Sequence, residues 1–177
     1  TSSSAASDVY KRQEDPFYFN TKISDEDGKI EGIINWFDAM EPINESYCNT
    51  IKTPMGGTHE SGYKTGIFKA FKEFSKLKYE KKSSQINQED LFGSSASILS
   101  VFLENPEFQG QTKEKLSSIE PGRKIESKIK ILFEQWLTSK TKSAEELFLY
   151  AFNRSQLRLQ NRSNQIIDKN IRRKKTT

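Results

Sequence analysis

The stretch "TPMGGTHESGYKTGIFKAFKEFSKLK", residues 53–78, contains the clearest periodic pattern in the sequence. Apolar side chains recur at spacings of three and four, as they do on one face of an α-helix, and charged side chains occupy the opposite face. The glycine pair before this pattern allows the backbone to turn sharply ahead of the helix. We therefore predict an amphipathic helix that buries Tyr63, Ile67, Ala70, Phe71, Phe74 and Leu77.

Three residues at the start of this helix carry polar side chains. Thr58 is placed to cap the helix, and Glu60 in the first turn suits the positive end of the helix dipole. His59 has two interpretations, a structural hydrogen bond at the helix entry or a catalytic role. We favour the structural interpretation, because no serine or cysteine nucleophile with a matching base accompanies it.

Strand signals surround this helix on both sides. The pieces "PFYFN" and "KIEGIINWF" are rich in aromatic and β-branched residues and are separated by the turn "SDEDG", so they predict two antiparallel strands. A metal site at Asp25, Glu26 and Asp27 is the alternative for that turn, but no further ligands follow. "NESYCNTI" predicts a third short strand. "SASILSVFLEN" is nearly continuously apolar over residues 98–103, which predicts a strand buried on both faces.

The last third of the sequence is helical in pattern. "GRKIESKIKILFEQWL" places its apolar residues on one face and predicts a second amphipathic helix. From Ser143 onward the pattern continues as one long helix and thins beyond Leu159, which predicts that this helix leaves the body of the protein. The order of strands and helices indicates an α/β protein, a two-layer sandwich with a mixed sheet and a long C-terminal helix.

Composition limits the function classes. The chain has 177 residues, of which 33% are hydrophobic and 29% charged, and this length fits one domain. No apolar run approaches the length of a membrane span and no signal peptide is visible, so we expect a cytoplasmic protein without membrane contact. Cys48 and His59 are the only residues of their types, which excludes an internal disulfide and a Cys/His zinc site.

The two ends of the chain differ from its middle. Residues 1–15 are mostly small, polar and unpatterned, and we predict a non-native or disordered leader there. Residues 150–177 hold eight basic residues and one acidic residue, a net charge of +7, which leaves −3 for the rest of the chain. Such a tail either contacts a polyanion or is simply solvated. Within it, Arg154, Arg158 and Arg162 follow a helical spacing and predict a basic stripe.

The segment "PEFQGQTKEKL", residues 106–116, follows the apolar run and has little to bury. Lys113 lacks the frame of a Walker A loop, so the segment cannot hold a nucleotide by itself. A lysine ammonium and the amide of Gln111, on a loop hinged at Gly110, can both bind phosphate oxygens. Taken alone, the tetrapeptide "GQTK" is a weak signal, and it favours a polar loop between a strand and a helix over a phosphate-binding loop.

The combination of segments is more specific. "TPMGGTHESGYKTG" at 53–66, "EDLFGSSASILSVFLENPEFQGQTKEKLSS" at 89–118 and the closing helices, in that order, resemble the transducer domain of type IIA topoisomerase ATPase subunits. "YCNTIKTPMGGTHE" and "FQGQTKEKLSS" are more similar to the topoisomerase IV B subunit than to the gyrase B subunit. The resemblance covers residues 16–175. The segment "LFGSSAS" differs from the sequence that is usual in the family, but this difference lies outside the loop that carries Lys113.

The resemblance implies a fold, a role and partners. Residues 16–140 would form a transducer domain with a left-handed βαβ crossover, and 141–177 a basic helix leading toward a TOPRIM domain. Lys113 and Gln111 would reach into the ATP site of a preceding GHKL domain and contact the terminal phosphate. ATP and Mg²⁺ would be bound mainly by domains outside this chain, which supplies no catalytic residue or metal ligand and is inactive alone. DNA, the topoisomerase IV A subunit and a second copy, joined through the ATPase domain, would be the partners.

Two other classes remain open. One is the transducer of the gyrase B subunit or of another GHKL ATPase, such as the mismatch-repair or chaperone families, although "GGTHE" together with "GQTK" argues against the latter two. The other is a stand-alone nucleic-acid-binding α/β module driven by the basic tail. That module would bind DNA with a salt-sensitive affinity.

Overall fold

The computed structural model describes residues 13–26, 28–38 and 41–176. Most of the predicted leader, residues 1–12, and Asp27 of the acidic turn therefore lie outside the described residues. Within the described ranges, no helix combines the length and the apolarity that crossing a bilayer requires. The elements in chain order are β1 Phe17–Lys22, β2 Lys29–Trp36, β3 Ile43–Cys48, β4 Ile51–Lys52, α1 Thr58–Lys78, α2 Glu80–Ser83, α3 Gln88–Phe92, β5 Ser95–Phe102, β6 Phe108–Gln109, β7 Lys115–Leu116, α4 Ile119–Ser139 and α5 Thr141–Lys175.

Five strands form one sheet in the order β1-β2-β5-β3-β4. The β1–β2 hairpin around the predicted turn is antiparallel, with Phe17 opposite Ile34 and Lys22 opposite Lys29. β5 lies antiparallel to β2 and parallel to β3, so the sheet is mixed, as the sequence predicts. The parallel pair requires a long crossover, and helices α1 to α3 supply it.

Helices α1 and α4 cover one face of the sheet and form the second layer. The aromatic side chains of the strands meet those of α4, with ring centroids 4.9 Å apart for Phe17 and Phe133 and 6.0 Å apart for Trp36 and Trp136. All four of these side chains are buried. The apolar faces predicted for both helices thus pack against the sheet.

Glycines allow α1 and α4 to approach each other closely. A Cβ atom on Gly62 would lie 2.4 Å from the carbonyl oxygen of Gly122, and one on Gly66 would lie 2.6 Å from that of Glu126. Any larger residue would therefore push the two backbones apart. Gly62 and Gly66 in α1 thus allow the close contact between the two helices.

The prediction that β5 is buried on both faces is wrong. Its residues alternate between buried and accessible, and Ile98 is 52% exposed. Ile33, its partner on β2, is 40% exposed, and Tyr18, the partner of Ile33 on β1, is 62% exposed. In the described part of the chain no second layer covers this outer face, so apolar composition alone does not imply burial here.

Two predictions about α1 are also wrong. Leu77 is 89% exposed, because α1 ends at Lys78 and Tyr79 fills that end of the core by stacking on Phe148 at 4.1 Å. Thr58 does not cap the helix, because it is already the first helical residue. The N-cap position belongs to Gly57, which offers no side chain for a capping hydrogen bond.

The long helix α5 confirms the predicted C-terminal helix. Its first half packs on the core through Ala144, Leu147, Phe148 and Ala151, whereas residues 159–176 are exposed. Gln13 lies against its start and donates a hydrogen bond to the carbonyl of Ser143 at 2.9 Å.

The basic stripe predicted on α5 is wrong for two of its three residues. Arg154 donates to the Ser94 hydroxyl at 3.0 Å, and Arg158 forms a bidentate ion pair with Asp90. Both guanidinium groups face the protein because α3 and the start of β5 lie beside this part of α5. Arg162, one turn further along, is exposed.

Candidate functional site

The loop that carries Gln111 and Lys113 is the tip of a small hairpin. β6 and β7 pair in antiparallel fashion, with Phe108 opposite Leu116, and residues 110–114 connect them. The sequence predicts only a loop between β5 and α4, since two-residue strands leave no periodic signal. The short ladder gives the loop a defined direction that a free connection would lack.

Both predicted phosphate-binding side chains lie exposed at this tip. Within the residues that the structure describes, no hydrogen bond or ion pair engages Gln111 or Lys113. Gly110 has a φ of 86° and nothing within 4 Å of the position of a Cβ atom, so glycine serves the backbone conformation there. The tip therefore presents an ammonium and an amide group to an external ligand.

Lys113 has an unusual backbone conformation. Its φ of 55° lies in the left-handed region, which costs a non-glycine residue about 1 to 2 kcal/mol. Such conformations persist only where the surrounding structure imposes them, and they are frequent at ligand-binding sites. Asn49 and Thr50 in the β3–β4 turn also have a positive φ, so the conformation is consistent with a binding site but does not identify one by itself.

The hairpin packs against the turn that begins α1. The amide of Met55 donates to the carbonyl of Glu114 at 3.0 Å, and the amide of Leu116 donates to the carbonyl of Gly56 at 3.1 Å. Gly57 and Leu116 also form a parallel β-bridge. The structure thus brings together the two most specific segments of the sequence, "TPMGGTHE" and "FQGQTKEKL", although about 50 residues separate them along the chain.

A buried polar network lies beneath this turn. The Thr53 hydroxyl donates to the carbonyl of Ser46 at 2.9 Å and lies 3.1 Å from Nε2 of His59. The Ser46 hydroxyl lies 2.8 Å from that of Thr53 and 3.2 Å from a carboxylate oxygen of Glu60. Glu60 in turn pairs with Lys64 at 2.9 Å. The structural interpretation of His59 is confirmed.

His59 is held in its neutral form. It is fully buried, and this burial lowers its pKa to about 4, although the nearby Glu60 carboxylate acts in the opposite direction. Because no surface of the imidazole is accessible, a substrate cannot reach it to exchange a proton. The network stiffens the turn rather than performing chemistry.

The other candidate chemistry in the chain is limited. Burial raises the pKa of the Cys48 thiol to about 11, so this cysteine is an inert core residue. Among the described residues, no group of three or more His, Cys, Asp and Glu side chains could hold a metal ion. A cleft of about 580 Å³ between α3 and α5 lies away from the hairpin and is lined by the Asp90–Arg158 ion pair.

A family model described as DNA gyrase B matches residues 3–166, most of the chain. The chain therefore belongs to the DNA gyrase B family. It is homologous to the B subunit of DNA topoisomerase 4: that of Caulobacter vibrioides is 38% identical over 156 residues, which cover 86% of this chain and 22% of the relative. The corresponding protein of Rickettsia typhi is 39% identical over 150 residues, covering 84% and 22%. The chain spans about a fifth of the length of these relatives.

Solved structures give the same result. The topoisomerase IV ATP-binding domain of Francisella tularensis, in complex with a small-molecule inhibitor, has a TM-score of 0.74 at 28% identity. The match covers 82% of this chain and 40% of that one. The 43K ATPase domain of Thermus thermophilus gyrase B has a TM-score of 0.75 at 22% identity, covers 93% and 44%, and supports the fold alone. The resemblance seen in the sequence is confirmed at the level of the family.

Proposed function

We propose that this chain is the transducer region of a bacterial topoisomerase IV B subunit, in which Lys113 and Gln111 sense the terminal phosphate of ATP. The observation that carries the proposal is the hairpin tip. Its two phosphate-binding side chains are exposed and free of partners in the described structure, and its base is hydrogen-bonded to the turn before α1. A relative of known structure is an ATP-binding domain, and this chain covers 40% of it.

The hairpin residues fit a phosphate group but not a whole nucleotide. A lysine ammonium is a mobile point charge, and a glutamine amide donates a neutral hydrogen bond, and both suit phosphate oxygens. A nucleotide site needs a concave pocket around the base and sugar, and the exposed tip does not form one. We therefore assign the rest of the ATP site, including its Mg²⁺, to a preceding ATP-binding domain.

The mechanism is a switch. While the terminal phosphate is in place, Lys113 and Gln111 hold the hairpin to the nucleotide, and release of the phosphate ends that contact. A charge-assisted hydrogen bond of about 1.5 to 3 kcal/mol shifts a two-state equilibrium roughly 10- to 150-fold. Because the hairpin is joined to the helical layer, the body moves with it.

The remaining regions have matching roles. Residues 16–140 would be the transducer domain, and the region 141–177, which contains α5, would carry the movement toward a TOPRIM domain and DNA. The complete protein would be an ATP-dependent type II topoisomerase that works with DNA, with the topoisomerase IV A subunit and with a second copy of itself, dimerised through its ATPase domain. The isolated chain would neither bind ATP tightly nor hydrolyse it.

The test is the steady-state ATPase rate of the full-length protein with Lys113→Ala. Loss of one preorganised donor to the charge that develops in the transition state costs about 10²- to 10³-fold in turnover. Gln111→Ala costs less, because a neutral amide makes the weaker contact. Lys115→Ala is the matched control, since it removes another exposed lysine, two residues away in β7.

Circular dichroism verifies that each variant is folded. A folded Lys113→Ala protein with the turnover of the unmutated protein would make the hairpin a mere connection between β5 and α4. A Lys115→Ala variant as impaired as Lys113→Ala would replace the specific contact with a general effect of positive charge.

A further inference from the structure

The contact between Gly57 and Leu116 leaves no room for a side chain. A Cβ atom on Gly57 would lie 2.3 Å from the carbonyl oxygen of Leu116 and 2.6 Å from its amide nitrogen. Both atoms belong to the backbone, so no side-chain rotation relieves the overlap. Gly57 also has a φ of 142°, which residues with a Cβ atom rarely adopt.

The turn that contains Gly57 cannot move aside easily. The amide of Gly56 donates to the carbonyl of Thr53 at 2.9 Å, and Thr53 is tied to the buried network of Ser46 and His59. Thr53 and His59 are 2% and 0% exposed. Displacing the turn would break several buried hydrogen bonds at once and leave their polar groups without partners.

The hairpin is the side that shifts. Its base is anchored by Leu116, which is 1% exposed, but its ladder contains only two residue pairs and a Cβ atom on Gly110 would find no atom within 4 Å. The hairpin can therefore tilt about Leu116 more easily than the turn can move. Its two hydrogen bonds to the turn involve Glu114, directly after Lys113, and Leu116. The junction between the hairpin and the turn at residues 55–57 is therefore the fixed point nearest to the Lys113 side chain.

The size of the displacement can be read from the geometry. Real Cβ atoms essentially never lie closer than 3.0 Å to another heavy atom, whereas the distance here is 2.3 Å, so the hairpin has to shift by at least about 0.7 Å. A misplacement of about 1 Å in a catalytic group can cost on the order of 10²-fold in rate.

We propose that Gly57 is a positioning residue for Lys113: its lack of a side chain lets the backbone of Leu116 lie against the turn, which aims Lys113 at the terminal phosphate. This inference rests on the function proposed above. Gly57 does not touch the nucleotide and acts only through the hairpin. The role follows from the backbone contact and is separate from the general tolerance of turns for glycine.

The test is a double-mutant cycle in the full-length protein, measuring kcat and KM for ATP. Gly57→Ala is expected to lower kcat by about 10- to 100-fold with a smaller change in KM, because the contact that it misaligns stabilises the transition state. In the Lys113→Ala background, Gly57→Ala should lower kcat less than about twofold further, since the residue through which it acts is already gone.

A second variant avoids the added bulk. Met55→Pro removes the amide that donates to Glu114, at a residue that is 65% exposed, and so loosens the junction from the other side. Met55→Pro should lower kcat several-fold in the otherwise unmutated protein. In the Lys113→Ala background it should not lower kcat further. Gly32→Ala is the control, because its Cβ atom would also lie 2.6 Å from another atom, but within the sheet against Phe19.

The outcomes separate the two proposals. If Lys113→Ala leaves turnover unchanged, the proposed function fails and the positioning role fails with it. If Lys113→Ala impairs turnover but Gly57→Ala and Met55→Pro do not, or if their effects multiply in the double variants, the positioning role alone is overturned. A loss of kcat in Gly32→Ala equal to that in Gly57→Ala would also overturn it, because the effect would then be one of general stability.

Discussion

The ion pair between Arg158 and Asp90 fixes the long helix to the body, and its removal gives a measurable prediction. Nε and Nη2 of Arg158 each lie 3.0 Å from a different carboxylate oxygen of Asp90. Nη2 also donates to the carbonyl of Gln85 at 2.8 Å. Asp90 completes a capping box with Asn87 at the start of α3, so a single carboxylate supports both helices.

Burial sets the magnitude for Arg158→Ala. The Asp90 side chain is 3% exposed, so the variant leaves a buried carboxylate with the Asn87 amide as its remaining donor within the described structure. Removing one partner of a fully buried pair costs about 3 to 5 kcal/mol. The Arg158 side chain is 28% exposed and screened to that extent, which reduces the expected loss to about 2 to 3 kcal/mol. The corresponding fall in Tm is roughly 4 to 12 °C.

The assay is urea denaturation followed by circular dichroism. Arg162→Ala is the matched control, because Arg162 lies one helical turn further along α5 and is exposed, and its loss should change the free energy of unfolding by less than about 0.5 kcal/mol. Arg158→Lys should recover only part of the loss. Lysine keeps the positive charge but lacks the planar guanidinium group that pairs with both carboxylate oxygens. Equal effects of Arg158→Ala and Arg162→Ala would refute the reasoning.

Two further predictions concern pH and salt. His59 is the only histidine of the chain, and burial lowers its pKa to about 4, whereas the unfolded chain binds that proton near pH 6.5. The free energy of unfolding should therefore fall by about 2 kcal/mol from pH 7 to pH 5, and urea titrations of His59→Gln that show the same fall would contradict this. In filter binding of the isolated chain to duplex DNA, affinity should be weak and should fall steeply with salt, because the net positive charge of the chain is concentrated in residues 150–177. Replacing Lys169 and Lys175 by alanine should reduce the steepness of the plot of log binding constant against log salt concentration by up to about 2, whereas Arg158→Ala should barely change it. Sequence-selective binding that survives physiological salt would favour a stand-alone DNA-binding module.

The sequence determines the local elements because their signals are short-range. The apolar spacing of three and four residues predicts α1 and α4 with their buried faces, and the turn ending at Gly28 predicts the β1–β2 hairpin. The motif around Lys113 and its family resemblance are also visible in the sequence. Each of these depends on residues that lie within a few positions of one another.

Burial on the outer face of the sheet could not be predicted in the same way. The run at 98–103 is apolar, yet Ile98 is half exposed, since burial depends on which layers pack against a strand and on how many. The exposure of Leu77 has the same kind of cause, namely the point where α1 ends relative to Tyr79 and Phe148. Periodicity gives the direction of a side chain, but the presence of a neighbour is a tertiary property.

The arrangement of the candidate site was decided by the tertiary structure. The glycine pair at 56–57 and Lys113 are each recognisable in the sequence. Nothing in the local sequence indicates that the hairpin carrying Lys113 packs against the turn that contains the glycine pair. The same is true of Arg158, whose charge suggests a DNA contact until the fold places it beside Asp90, 68 residues away along the chain. Hydrogen bonds and ion pairs between distant residues form only when the packing of the core brings their backbones together, and for that reason the sequence identified the groups while the fold decided which of them remain free to bind.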